Sequence, residues 1–172
     1  MASLIENIVS VLEQENSKYR QLIDFSNEKT NVIIKGDLEG LDRITASEQE
    51  VVAQIQKLEK TRMQTMKDIE EVTNHKGGEL KLPDLIEMMK SRPSEKAALE
   101  DIHGRLKVTM DEMKKINDRN RELLENAMEM VRFDMNLLQS LKTAPETADY
   151  NSSAYSTGTI MGSGTKRFDQ KQ

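Results

Sequence analysis

Two histidines are the only imidazoles in this 172-residue chain, and cysteine is absent, so thiol nucleophiles, disulfides and cysteine zinc sites are excluded at once. His103 closes the stretch Glu100-Asp101-Ile102-His103, the Glu-x-x-His spacing that places two metal ligands on one helical face. A carboxylate-bridged metal pair needs that motif twice. The other histidine, His75, has Val72 three residues before it, and its i,i+4 pairing with Glu71 reads more simply as a fraying helix end. Gly77-Gly78 is not followed by the helix-opening Lys-Ser/Thr of a phosphate-cradling loop. Glu70-Glu71 and Glu48/Glu50 read as solvated helix faces rather than acid/base dyads. No catalytic residue, metal or cofactor is therefore assigned, and the chain reads as a non-enzyme.

The elements that would hold any site are helices. Charged residues make up 32% and aromatics 3%, Trp is absent, and good helix formers dominate the first 142 positions, so a core has to be built from narrow aliphatic stripes. The first helix, about 3–34, carries two heptad rows, Leu4, Val11, Phe25, Val32 and Ile5, Leu12, Tyr19, Ile33, interrupted by Lys18 and Ser26. Lys35-Gly36-Asp37 reads as a helix stop followed by a new N-cap. The second helix, about 38–72, places Leu41, Ile55, Ile69 and Ile44, Val51, Leu58, Val72 in its rows, with Glu48, Arg62 and Thr65 as exceptions. A short helix over 83–90 lies between Gly77-Gly78 and Pro93, capped by Asp84 or by the preceding proline turn. The last helix, about 94–141, would be about 70 Å long if continuous. Gly104 marks a place for a bend, and Asn120 and Asp134 are polar at seam positions. The fold class expected is all-α: an elongated antiparallel bundle or coiled coil of three long helices with one short helix over 1–142, followed by a disordered tail over 143–172.

Two regions fit that scheme poorly as mere scaffold. Between Leu123 and Leu141 the last helix carries Leu123, Leu124, Ala127, Met130, Val131, Leu137, Leu138 and Leu141 together with Met128, Phe133 and Met135, apolar nearly all round. Such a surface has to be covered, either by the other helices or by a partner. Methionines fill core gaps, but they also suit surfaces that accept another helix in adaptable geometry. The tail carries Tyr150, Tyr155 and Phe168, half of the six aromatic residues, in a segment rich in Gly, Ser and Thr. It reads as a recognition segment.

The net charge is -5, and in the tail Lys166, Arg167 and Lys171 offset Glu146, Asp149 and Asp169, so the body holds the acidic excess. An acidic body argues against nucleic-acid binding, and no apolar run approaches the roughly 20 residues of a bilayer span. A soluble, unexported, cytoplasmic protein with no membrane insertion is expected.

Three stretches, Glu28 to Leu41 (EKTNVIIKGDLEGL), Met113 to Val131 (MKKINDRNRELLENAMEMV) and Lys166 to Gln172 (KRFDQKQ), resemble the FlgN family of flagellar export chaperones in its Gram-positive form. The resemblance implies a non-enzymatic cytoplasmic chaperone that binds hook-associated, hook-filament junction proteins and delivers them to the flagellar type III export gate. It puts the cargo surface on Leu123 to Leu141 and implies that a tail tyrosine, Tyr150 or Tyr155, docks on the cytosolic domain of the gate. Arg167 and Phe168 form a tail anchor without an assigned role. The other class of reading is a self-associating structural coiled coil with a solubilising tail, which leaves the aromatic tail unexplained.

Overall fold

The computed structural model describes residues 2–74 and 79–143, and the molecule divides into two units, Met1–Arg132 and Phe133–Gln172. Four α-helices are described: α1 (Ala2–Lys35), α2 (Leu38–Thr73), α3 (Leu82–Met88) and α4 (Pro93–Thr143), with a 3-10 turn, Met89–Ser91, after α3. Helix α4 supplies residues to both units. It runs without interruption through Gly104, where a Cβ would meet nothing within 4 Å.

In the first unit α1 and α2 form an antiparallel hairpin. Its corner is a Schellman motif: Gly36 sits at φ 67°, its N–H donates to Ile33 O at 3.1 Å, and the Asp37 N–H donates to Val32 O at 2.9 Å. Asp37 then caps α2 by accepting the Gly40 N–H at 2.9 Å. Gly40 is buried against this cap, and a Cβ there would meet the Asp37 carboxylate at 2.5 Å. At the far end of α2, Asn74 takes the left-handed conformation at φ 52° and closes the helix. The short α3 is opened by the Lys81 N–H donating to Asp84 Oδ2 at 3.3 Å, so Asp84 supplies the cap.

The apolar core has two parts. The larger joins Ile5, Ile8 and Leu12 of α1, Ile69 of α2, Leu80, Leu85 of α3, Met89 of the 3-10 turn, and Leu99, Ile102 and Leu106 of α4. The smaller is Leu22, Val51 and Ile55, with Tyr19, Phe25 and Met113 packed against it. The second seam row on α1 differs from the expected one. Alongside Ile5, Leu12, Ser26 and Ile33 the buried row is Ile8, Glu15 and Leu22, whereas of the expected row Val11 is buried and Leu4, Lys18, Phe25 and Val32 are only half-buried. A charged Glu15 disguises that row in the sequence.

The polar residues that interrupt the rows face one another. Glu15 and Arg62 pair across α1 and α2 at 3.1 Å, and Lys29 pairs with Glu48. Ser26, Asn117, Thr30 and Asn120 form a layer between α1 and α4: Asn120 Nδ2 donates to Ser26 O at 2.7 Å, and the Thr30 hydroxyl donates to Asn120 Oδ1 at 2.6 Å. Thr109 and Asn16 make a second buried link at 2.8 Å. Among the described residues no buried side-chain nitrogen or oxygen lacks a partner. Matched polar layers of this kind fix the relative register of helices that aliphatic stripes alone would let slide.

Candidate functional site

The register of α4 against α1 follows from those links. Glu13 meets Arg105, Asn16 meets Thr109, and Thr30 meets Asn120, sequence separations of 92, 93 and 90, so the two helices run parallel in the first unit. Carried to the end of α1 at Lys35, an offset of about 92 reaches Ala127. Beyond that point the hairpin has no more residues with which to cover α4.

Burial follows the register. The last buried residue of α4 is Asn120; Leu123, Leu124 and Ala127 are half-buried; Met128, Met130 and Val131 are exposed, Val131 at 57%. Where the hairpin ends, an apolar groove of about 410 Å³ opens between Val32, Ile33, Leu38 and Leu41 of the corner and Leu124, Ala127, Met128 and Val131 of α4. Asp37 and Arg132 also line it. Leu38 is 74% exposed, directly after the exposed Gly36-Asp37 turn. Its position is set by the Asp37 cap, which fixes the first turn of α2 and holds the leucine at the mouth of the groove.

Of the residues singled out in the sequence, Leu124, Ala127 and Val131 line this groove, and Leu123 and Met130 lie beside it on a second heptad row of α4. In the second unit Leu137, Leu138 and Leu141 are all exposed on the described helix, as are Phe133 and Met135. Tyr150, Tyr155, Arg167 and Phe168 lie outside the described residues. Sequence reasoning missed the opposite wall: Val32, Ile33 and Leu41 were read as seam residues, and Leu38 and Met128 were given no separate role. The available signal was the leucine pair Leu38 and Leu41 straddling a capped, glycine-marked corner. Two of the stretches that carry the family resemblance, Glu28 to Leu41 and Met113 to Val131, thus provide the two walls.

The polar chemistry is structural. Glu15 is 5% exposed, and burial raises its pKa above the ordinary carboxylate value, with the Arg62 guanidinium opposing that rise. Burial raises Tyr19 as well, reinforced by the charge of Glu15. Glu100 is engaged with Lys96 at 3.4 Å, and among the described residues no group of three histidine, aspartate or glutamate side chains is placed to hold a metal. His75 lies outside the described residues. No described helix is long and apolar enough to cross a membrane.

The arrangement leaves apolar side chains of α4 open to water where the hairpin stops covering them. The model of the family described as FlgN protein matches residues 1–156. The match includes both groove walls, Tyr150 and Tyr155, and ends before Arg167 and Phe168. No curated protein and no solved structure matches the chain.

Proposed function

This chain belongs to the FlgN family, a family of flagellar export chaperones, and from that membership and the uncovered half of α4 we propose that it binds hook-associated proteins of the hook-filament junction and delivers them to the cytosolic domain of the type III export gate. The observation that carries the reading is the run of exposed apolar side chains that begins where α1 ends in register. A terminal helix of the cargo lies along Leu123, Leu124, Ala127, Met130 and Val131, and the same heptad rows extend it to Leu137, Leu138 and Leu141. Binding there hides the cargo's own apolar face before secretion, which is what an export chaperone has to do.

The tail is the second part of the proposal. Tyr150 or Tyr155 docks on the gate, since an aromatic side chain supplies contact area with few rotors to freeze. Arg167 and Phe168 act as an anchor at the end of the chain. The protein works in the cytoplasm, without nucleic acid, membrane insertion, cofactor or metal.

Calorimetry with a C-terminal helical fragment of a hook-associated protein tests the reading. Leu124→Asp with Val131→Asp is expected to abolish binding while leaving the fold intact, because both positions are already partly or fully open to water. Tyr150→Ala with Tyr155→Ala should leave that binding unchanged and weaken capture by the gate domain. Fragment binding that tolerates both aspartates would sink the assignment of the cargo surface.

A further inference from the structure

Methionine accounts for all the sulfur in this chain. It occurs eleven times and cysteine is absent, so every sulfur atom is a thioether and no thiol competes with it for an oxidant. Burial divides these thioethers. Met89 is 3% exposed inside the larger core, Met66 packs against that core, and Met113 packs against the smaller one. Met128 at 55%, Met135 at 65% and Met130 at 70% are the most exposed of the described methionines, none of the others passing 49%.

Those three lie within eight residues of α4. Met128 lines the corner groove, and Met130 follows Leu123 by seven positions; both belong to the first unit. Met135, in the second unit, follows Met128 by seven. Leucine would present a similar apolar area. What a thioether adds, besides flexibility, is a sulfur lone pair that a two-electron oxidant can take. Oxygen transfer from hydrogen peroxide forms one S–O bond and breaks the O–O bond: the sulfur gives up two electrons, the peroxide accepts them, and the products are sulfoxide and water. The sulfoxide is polar, and burying its oxygen against an apolar partner costs free energy unless a donor meets it. Methionine sulfoxide reductases reverse the step, oxidising a dithiol to a disulfide and releasing the oxygen as water.

We propose that Met128, Met130 and Met135 are a modification site, at which oxidants of the peroxide class form sulfoxides that close the apolar stretch of α4 to its partner while the core stays folded. The inference rests on the chaperone reading for the partner, and on exposure and sulfur chemistry for the site. Selectivity comes from the fold, because Met89 is sealed in the core and the three surface thioethers face water.

The test treats the full chain with hydrogen peroxide and follows it by peptide mass spectrometry, circular dichroism and calorimetry with the C-terminal helical fragment of a hook-associated protein. Met128, Met130 and Met135 should each gain one oxygen before Met66, Met89 and Met113 do, with helix content and thermal midpoint retained. Fragment binding should weaken by on the order of tenfold or more, as desolvation of one or more sulfoxides implies, and recover with dithiothreitol and the two stereospecific sulfoxide reductases. The triple variant Met128→Leu, Met130→Leu, Met135→Leu keeps the other methionines, and its affinity should be the same before and after peroxide. Equally fast oxidation of Met66, Met89 and Met113, unchanged binding by the oxidised chain, or the same loss in the triple variant would overturn the proposal. An untreated chain that does not bind the fragment would instead overturn the cargo reading and leave the modification site to stand or fall on the order of oxidation.

Discussion

The two ends of the first unit are built from similar residues and treated oppositely. At the α3 end, Ile8, Ile69, Leu85, Leu99 and Ile102 are fully buried because a fourth element, α3 with its 3-10 turn, lies over the seam of the three long helices. At the corner end the Gly36 turn stops the hairpin and, among the described residues, no fourth element lies over the seam, so Leu38 and Val131 are exposed. What separates the ends is coverage and not composition. The same leucine and valine chemistry stabilises the fold at one end and is left open to water at the other.

The sharpest way to break this contrast is to truncate one residue from each end. Ile102→Ala should cost about 2–5 kcal/mol in chemical denaturation, since Ile102 is wholly buried and its loss leaves a cavity. Val131→Ala should change stability by less than about 0.5 kcal/mol while weakening cargo binding. Similar stability costs at the two positions would mean that the corner end is closed in solution. Between the two ends, Asn120→Ala should cost about 0.5–1.5 kcal/mol, because it removes the amide's bonds to Ser26 O and the Thr30 hydroxyl, which keep their bond to each other. A neutral result would remove the polar layer as the device that sets the register of α4.

Gly104→Ala should stabilise the chain by about 1 kcal/mol, because the helix is continuous there and an added Cβ meets nothing within 4 Å. Destabilisation would show that α4 bends at this point in solution. The smallest effect concerns pH. Burial raises the Glu15 carboxyl above its ordinary value of 4.5, so the folded chain holds that proton more tightly than the unfolded chain does. Its contribution to stability is fully present below the ordinary value and is lost as pH rises through the raised one. Glu15→Gln should therefore gain stability relative to the parent between pH 4 and pH 7. The opposite trend would mean that the Arg62 pairing outweighs desolvation.

Much of this architecture is legible in the sequence, for identifiable reasons. Lys35-Gly36-Asp37 announces the corner because the left-handed position needs glycine and the next helix start needs a cap, both local requirements. The heptad rows of α2 hold through Glu48, Arg62 and Thr65, which occupy true seam positions, as Asn120 does on α4, whereas Val72 and Asp134 are exposed. Their partners were not legible, since which polar residue faces which depends on the register between helices. The Ile8, Glu15, Leu22 row of α1 was hidden for the same reason, its charge being matched by a residue 47 positions away. For the groove, the α4 wall could be read from an excess of apolar side chains over one seam. The corner wall could not, because its exposure depends on where α1 runs out against α4.

The central proposal is that α4 from Leu123 to Leu141, half-buried as far as Ala127 and exposed after it, is a binding surface. Backbone NMR of the labelled full chain, titrated with the C-terminal helical fragment of a hook-associated protein, tests it most directly. The account predicts that resonances of Leu123 to Leu141 and of the corner residues Val32 to Leu41 shift together, while those of Ile102 and its core neighbours stay in place. Saturating fragment that leaves Leu123 to Leu141 unmoved, or a tight homodimer in which those resonances are already protected, would contradict it.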